Sequence, residues 1–122
     1  MDGSGRMFVL ERGGNIRVIN AAGTLLPTPY YTRSVDTGDV ERGLLGIAFD
    51  PSFASNGILY IVYTATGANG EILRRLDATS PSANTFSGTD TEVMRIPLFY
   101  NHNGGDIHFG PDNYLYWSTA HR

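Results

Sequence analysis

Three short stretches limit what this chain can fold into: Gly5-Arg6-Met7-Phe8-Val9, Gly57-Ile58-Leu59-Tyr60-Ile61 and Asn113-Tyr114-Leu115-Tyr116-Trp117. Each is a run of strand-favouring residues placed directly behind a turn residue. They recur about every 50 residues, which is the spacing of four-stranded β-propeller blades. The second and third copies also share a preceding Phe-x-Pro element, in Phe49-Asp50-Pro51 and Phe109-Gly110-Pro111.

The rest of the chain agrees with a β reading. No window holds an apolar stripe of helical period free of Gly and Pro. Nine strands are expected instead: RMFVLER, NIRVIN, YYTRSV, LLGIAFD, ILYIVYTA, EILRRLD, EVMRIPL, GDIHFG and YLYWST. Between them lie clusters with turn chemistry. Gly13-Gly14-Asn15 can supply positive φ, and Asp50–Gly57 and Gly110–Asn113 act at other joints. The run ILYIVY is apolar on both faces, so it belongs inside stacked sheets. EILRRLD, with Arg74 beside Arg75, is more mixed and is expected further out. The expected fold class is therefore all-β, a fragment of a six-bladed β-propeller made of four-stranded antiparallel blades. Residues 1–40 read as a first blade lacking its innermost strand, 41–100 as a complete blade, and 101–122 as the first half of a third. Open sheet faces and edges favour association. Copies of the chain, or further blades, are expected to cover them.

Bulk properties narrow the function. The 122 residues suffice for one core, with roughly 65% of the unfolded surface buried. Fifteen glycines and six prolines suit a turn-rich β protein. All nine basic residues are Arg, and the net charge of −3 gives no attraction to a phosphate backbone, so no nucleic-acid partner is expected. The absence of Cys excludes disulfides and thiolate chemistry. No apolar run approaches a membrane span, and Met1 leads into DGSGRMFVLE without the pattern of a signal peptide.

Three stretches carry a more specific signal: DGSGRMFVLERGGNIRVI (2–19), ERGLLGIAFDPSFASNGILYIVYTA (41–65) and NHNGGDIHFGPDNYLYWST (101–119). Together they resemble the glucose/sorbosone dehydrogenase family, the soluble PQQ-dependent sugar dehydrogenases. The resemblance covers nearly the whole chain in the right order. It implies a six-bladed propeller with PQQ over the central axis, calcium beside it, and a periplasmic or secreted setting. It also implies oxidation of an aldose to a lactone. The main ligands of PQQ and calcium come from blades outside this chain, so the chain alone is expected to be inactive.

His102 stands where the family keeps the base that takes the proton of the sugar's anomeric hydroxyl. An imidazole suits that work because it titrates near neutrality. Without the resemblance, His102 reads as a polar turn residue. Glu41 falls where some members hold a Gln near the sugar; it reads equally as a solvated charge beside Arg42. His121 is a departure. The family's strand runs on to an Asp that orients the base, and here STAHR places a histidine at that position. A second imidazole orients the first poorly. Other readings remain. A metal site from His102, His108 and His121 has no recognised ligand spacing. Asp36–Gly43 lacks the pattern of a calcium loop and reads as a turn between blades. Tyr114, Tyr116 and Trp117 are expected in inter-blade core rather than under a sugar. Beside the enzyme stand two alternatives, a non-catalytic blade module and a carbohydrate-binding surface.

Overall fold

A computed structural model describes residues 5–38, 42–68, 70–97 and 106–117. Nine strands occur among them. They are β1 (Met7–Leu10), β2 (Asn15–Ile19), β3 (Tyr31–Thr32), β4 (Leu44–Phe49), β5 (Ile58–Thr64), β6 (Glu71–Ala78), β7 (Gly88–Ile96), β8 (Ile107–Phe109) and β9 (Leu115–Trp117). They form three antiparallel sheets, β1-β2-β3, β4-β5-β6-β7 and β8-β9, each meandering in chain order. The expected all-β class holds.

Turn chemistry sets the registers. In the β1–β2 turn, Gly14 donates to Glu11 O and has φ of 117°. A Cβ on Gly14 would stand 2.0 Å from Arg33 O, because Arg33 N–H bonds Gly14 O just beyond β3. Only glycine satisfies both demands. The β8–β9 turn instead puts Asn113 at φ 66°, and Asp112 Oδ1 accepts the Tyr114 N–H. Asparagine tolerates that left-handed conformation better than other side chains.

Three expectations need adjustment. Asp50–Gly57 contains a one-turn helix, α1 (Phe53–Asn56), where no helix was expected. Four residues are too few to show a periodic stripe. The turn is held locally: Asp50 Oδ1 accepts from Ser52 N and Asn56 Nδ2, and Gly57 closes it in the left-handed region. The YYTRSV strand shrinks to two residues, and EVMRIPL begins earlier, at Gly88.

The core lies in two layers, one on each face of the four-stranded sheet. Leu59, Ile61 and Tyr63 of β5 join Ile72 and Leu76 of β6 against Ile16, Val18 and Tyr30 of the first sheet. Phe8, Phe49 and Phe53 extend this layer as ring contacts of 4.9–6.3 Å. On the other face, Val62, Leu73 and Ala48 meet Ile107, with Tyr60, Phe109, Leu115 and Trp117 around them. Strand β5 thus sends alternate side chains into both layers, as its two-faced apolarity requires. The outer strand β7 is mostly exposed, and β6 is intermediate at Arg74 and Arg75.

Candidate functional site

The register of the central sheet brings Leu44, Thr64, Glu71 and Ile96 to one end, since Leu44 pairs Tyr63, Thr64 pairs Glu71 and Glu71 pairs Ile96. Asp36 and the segment 42–44 are anchored to this end. Thr64 N donates to Gly43 O at 2.8 Å, and Thr64 Oγ1 accepts the Gly43 N–H at 3.2 Å. Leu44 N donates to Arg12 O, and Arg12 Nη1 to Arg42 O. Asp36 N donates to Thr64 O, and the Asp36 carboxylate faces Arg42 Nη1 at 3.5 Å. Gly43, at φ 133°, has no room for a Cβ, which would lie 2.3 Å from Arg12 O.

Glu71 is the unexpected member of this end. It is 1% exposed, and its Oε1 has no hydrogen-bond partner among the described residues. Burial pushes its carboxyl up to about 7, because the anion has lost its water without gaining a cation. Sequence reasoning passed over it as the polar start of a strand. Alternation gave no signal for it: Glu71 shares a face with Leu73, Arg75 and Asp77, and only the first two of these four are buried.

Glu41, His102 and His121, the residues that motif reading put forward, lie outside the described residues. The strands beside them are in view. β4 begins at Leu44, three residues after Glu41. β8 begins at Ile107, five after His102, and β9 ends at Trp117, four before His121. Ile107 pairs Trp117 at one end of the third sheet. His108 lies on the outer face of β8 and stacks on Tyr116 at 5.7 Å. Among the described residues no group of three His, Cys, Asp or Glu is placed to hold a metal. The aromatic cluster divides: Trp117 packs into the second core layer, whereas Tyr114 and Tyr116 are exposed, with the Tyr116 hydroxyl donating to Asp112 at 2.5 Å. Only Trp117 fits the expectation of inter-blade core, because alternation turns Tyr114 and Tyr116 outward.

The family model described as Glucose / Sorbosone dehydrogenase matches residues 1–122. The chain belongs to the glucose/sorbosone dehydrogenase family. Its fold is accordingly that of part of a six-bladed propeller. Among solved structures, the PQQ-bound form of aldose sugar dehydrogenase from Streptomyces coelicolor is 30% identical, with a TM-score of 0.78 over 93% of this chain and 34% of that one. Hedgehog-interacting protein of Mus musculus is 36% identical over 94% of this chain and 19% of its own length. Quinoprotein glucose dehydrogenase B of Acinetobacter calcoaceticus is 26% identical over 94% of this chain and 26% of its own length. The chain thus spans about a fifth to a quarter of these curated relatives. PQQ is a cofactor within the family, as the PQQ-bound relative records. Among the described residues the buried ionisable group at the sheet end is the acid Glu71, which is no partner for the carboxylates of a quinone.

Proposed function

We propose that this chain is the part of a PQQ-dependent sugar dehydrogenase that supplies the base for oxidising an aldose to a lactone. The observation that carries this reading is the family match over all 122 residues, together with the 30% identity to a PQQ-bound aldose sugar dehydrogenase. In this reading residues 1–40, 41–100 and 101–122 belong to three successive blades, the first without its innermost strand and the third in its first half. His102 takes the proton from the anomeric hydroxyl, and Glu41 accepts hydrogen bonds from sugar hydroxyls. His121 borders the substrate in place of an orienting Asp, which weakens the base. PQQ, when bound, would accept the hydride, with calcium beside it; both are held by residues beyond this chain. The open sheet faces are covered by further blades or by copies of the chain, in a periplasmic or secreted setting.

The test is dye reduction by the purified protein with PQQ, calcium and glucose, on the chain alone and on the chain joined to the remaining blades. The joined form should be active and the chain alone inactive, and His102→Ala should lower the rate of the joined form by about 100-fold or more. A His102→Ala protein of undiminished rate would remove His102 from the chemistry.

A second reading has its own support. The 36% identity to Hedgehog-interacting protein exceeds the 26% to the quinoprotein dehydrogenase. In that reading the blades form a non-catalytic binding module, as His121 in place of an acid would allow. Absence of PQQ binding in the joined form would favour it.

A further inference from the structure

A second polar site opens beside the same sheet end, between the first sheet and the outer half of the second, with Tyr63, Ala65 and Ile72 next to Thr64 and Glu71. A cavity of about 190 Å³ is lined there by Arg33 and Ser34 just after β3, Tyr63 and Thr66 near the end of β5, and Arg74 of β6. That is well above the roughly 10–15 Å³ that holds one water. Tyr63 and Ile72 lie beneath it, nearly fully buried, so its exposed lining is mostly polar.

The charges that the described residues bring to it do not balance. Arg74 Nε donates to Asp90 Oδ1 at 2.8 Å, and Arg33 Nη1 approaches the same oxygen at 3.6 Å. Two guanidinium groups therefore share one carboxylate. Their other partners are neutral phenols: Arg33 Nη1 donates to Tyr31 OH, and Arg74 Nη1 to Tyr63 OH. Arg33 Nε and Nη2 and Arg74 Nη2 have no partner among the described residues. The Arg33 guanidinium is held over the Tyr63 ring at 5.4 Å, which fixes its plane. Arg95 and Glu92, also at the rim, pair with each other and leave the excess unchanged. A partly buried surplus of one positive charge, with forked donors left over, matches one carboxylate. A dianion fits less well, because the Glu92 carboxylate stands in the same lining. Ser34 and Thr66 add hydroxyls suited to a hydroxylated ligand.

We propose that this cleft binds a small monoanionic sugar acid, a uronate or aldonate, with its carboxylate on Arg33 and Arg74 and its hydroxyls toward Ser34. Nothing in this binding calls on PQQ or His102. Calorimetric titration of the purified protein with glucuronate at low salt tests it, with glucose, sulfate and chloride as comparisons. Glucuronate should saturate, glucose should not, and Arg33→Gln should weaken glucuronate binding by about tenfold or more. Arg33 lies outside the strands and its side chain is 29% exposed, so the variant should keep the native circular dichroism. If it does not fold, Arg33→Lys keeps the charge but loses the planar fork, and should weaken binding by about threefold or more. Three results would each overturn the proposal: no saturation by glucuronate, unchanged affinity in the folded variant, or sulfate and chloride matching glucuronate.

Discussion

Replacing Glu71 by Gln should abolish a defined part of the protein's pH dependence. The Glu71 carboxyl titrates at about 7 in the folded chain against 4.5 for the free side chain, since it is 1% exposed. Its folded value is raised, so the unfolded chain gives up this proton first as pH rises. Stability is therefore full below pH 4.5, falls between 4.5 and about 7, and is flat above. At about 1.4 kcal/mol per pH unit, the loss across that window is about 3 kcal/mol. The amide that replaces the carboxyl in Glu71→Gln cannot ionise, and that loss disappears. The buried amide carries its own cost of roughly 1–3 kcal/mol where it lacks partners, but that cost does not depend on pH. Urea unfolding followed by circular dichroism at pH 4.5, 5.5, 6.5 and 7.5 separates the two effects. The difference in stability between variant and wild type should climb by about 3 kcal/mol in favour of Glu71→Gln from the lowest to the highest pH. Every other ionisable group is common to both proteins and cancels. Parallel stability profiles would refute the reasoning, because they would mean that Glu71 is ionised at neutral pH in the folded chain.

Two further substitutions test the packing that holds the sheets together. Leu59→Ala empties a fully buried position between the first and second sheets and should cost about 2–5 kcal/mol in urea unfolding. Gly14→Ala should cost more than about 2 kcal/mol, because the added Cβ meets Arg33 O at 2.0 Å and φ is 117°; a thermal midpoint equal to wild type would contradict the close approach of the β1–β2 turn to the end of β3.

The strands were legible because their signals are local. Alternation over Ile58–Tyr63 gave a strand buried on both faces, and the structure sends Leu59 and Ile61 one way and Val62 the other. Glycine and asparagine marked turns that need positive φ, as Gly14 and Asn113 show. What escaped depends on partners remote in sequence. The α1 turn exists because Asp50 and Gly57 bracket it, and β3 stops at Thr32 although TRSV continues in strand-like residues. The Asp90 carboxylate pairs with Arg74 of the second sheet and with Arg33 just after β3, and nothing in the spacing of these residues announces that meeting. Glu71 was not legible: its face of β6 also carries Arg75 and Asp77, and its burial comes from the packing at the sheet end. The proposed catalytic residues rested on motif likeness alone. No periodicity or turn rule separates a catalytic His102 from a polar turn residue.

Sheet packing and chemistry therefore place separate demands on this sequence. The residues that stack the sheets, such as Ile16, Leu59, Ile61, Val62 and Leu73, are apolar and would serve a dehydrogenase or a binding module equally well. That explains how one chain can be 36% identical to a protein named for an interaction and 30% identical to a PQQ-bound enzyme over nearly the same span. The discriminating positions must be polar and near the strand ends, where backbone direction is fixed but side chains are free to vary. In the proposed function Glu41, His102 and His121 are such positions. Of the three, His121 divides the two readings most sharply. If His102 is the base, an oxidoreductase needs a group at position 121 that stabilises a protonated imidazole, whereas a binding surface places no such demand. His121→Asp in the joined protein should thus raise the rate of sugar oxidation if His102 is the base, and leave it unchanged if the blades only bind.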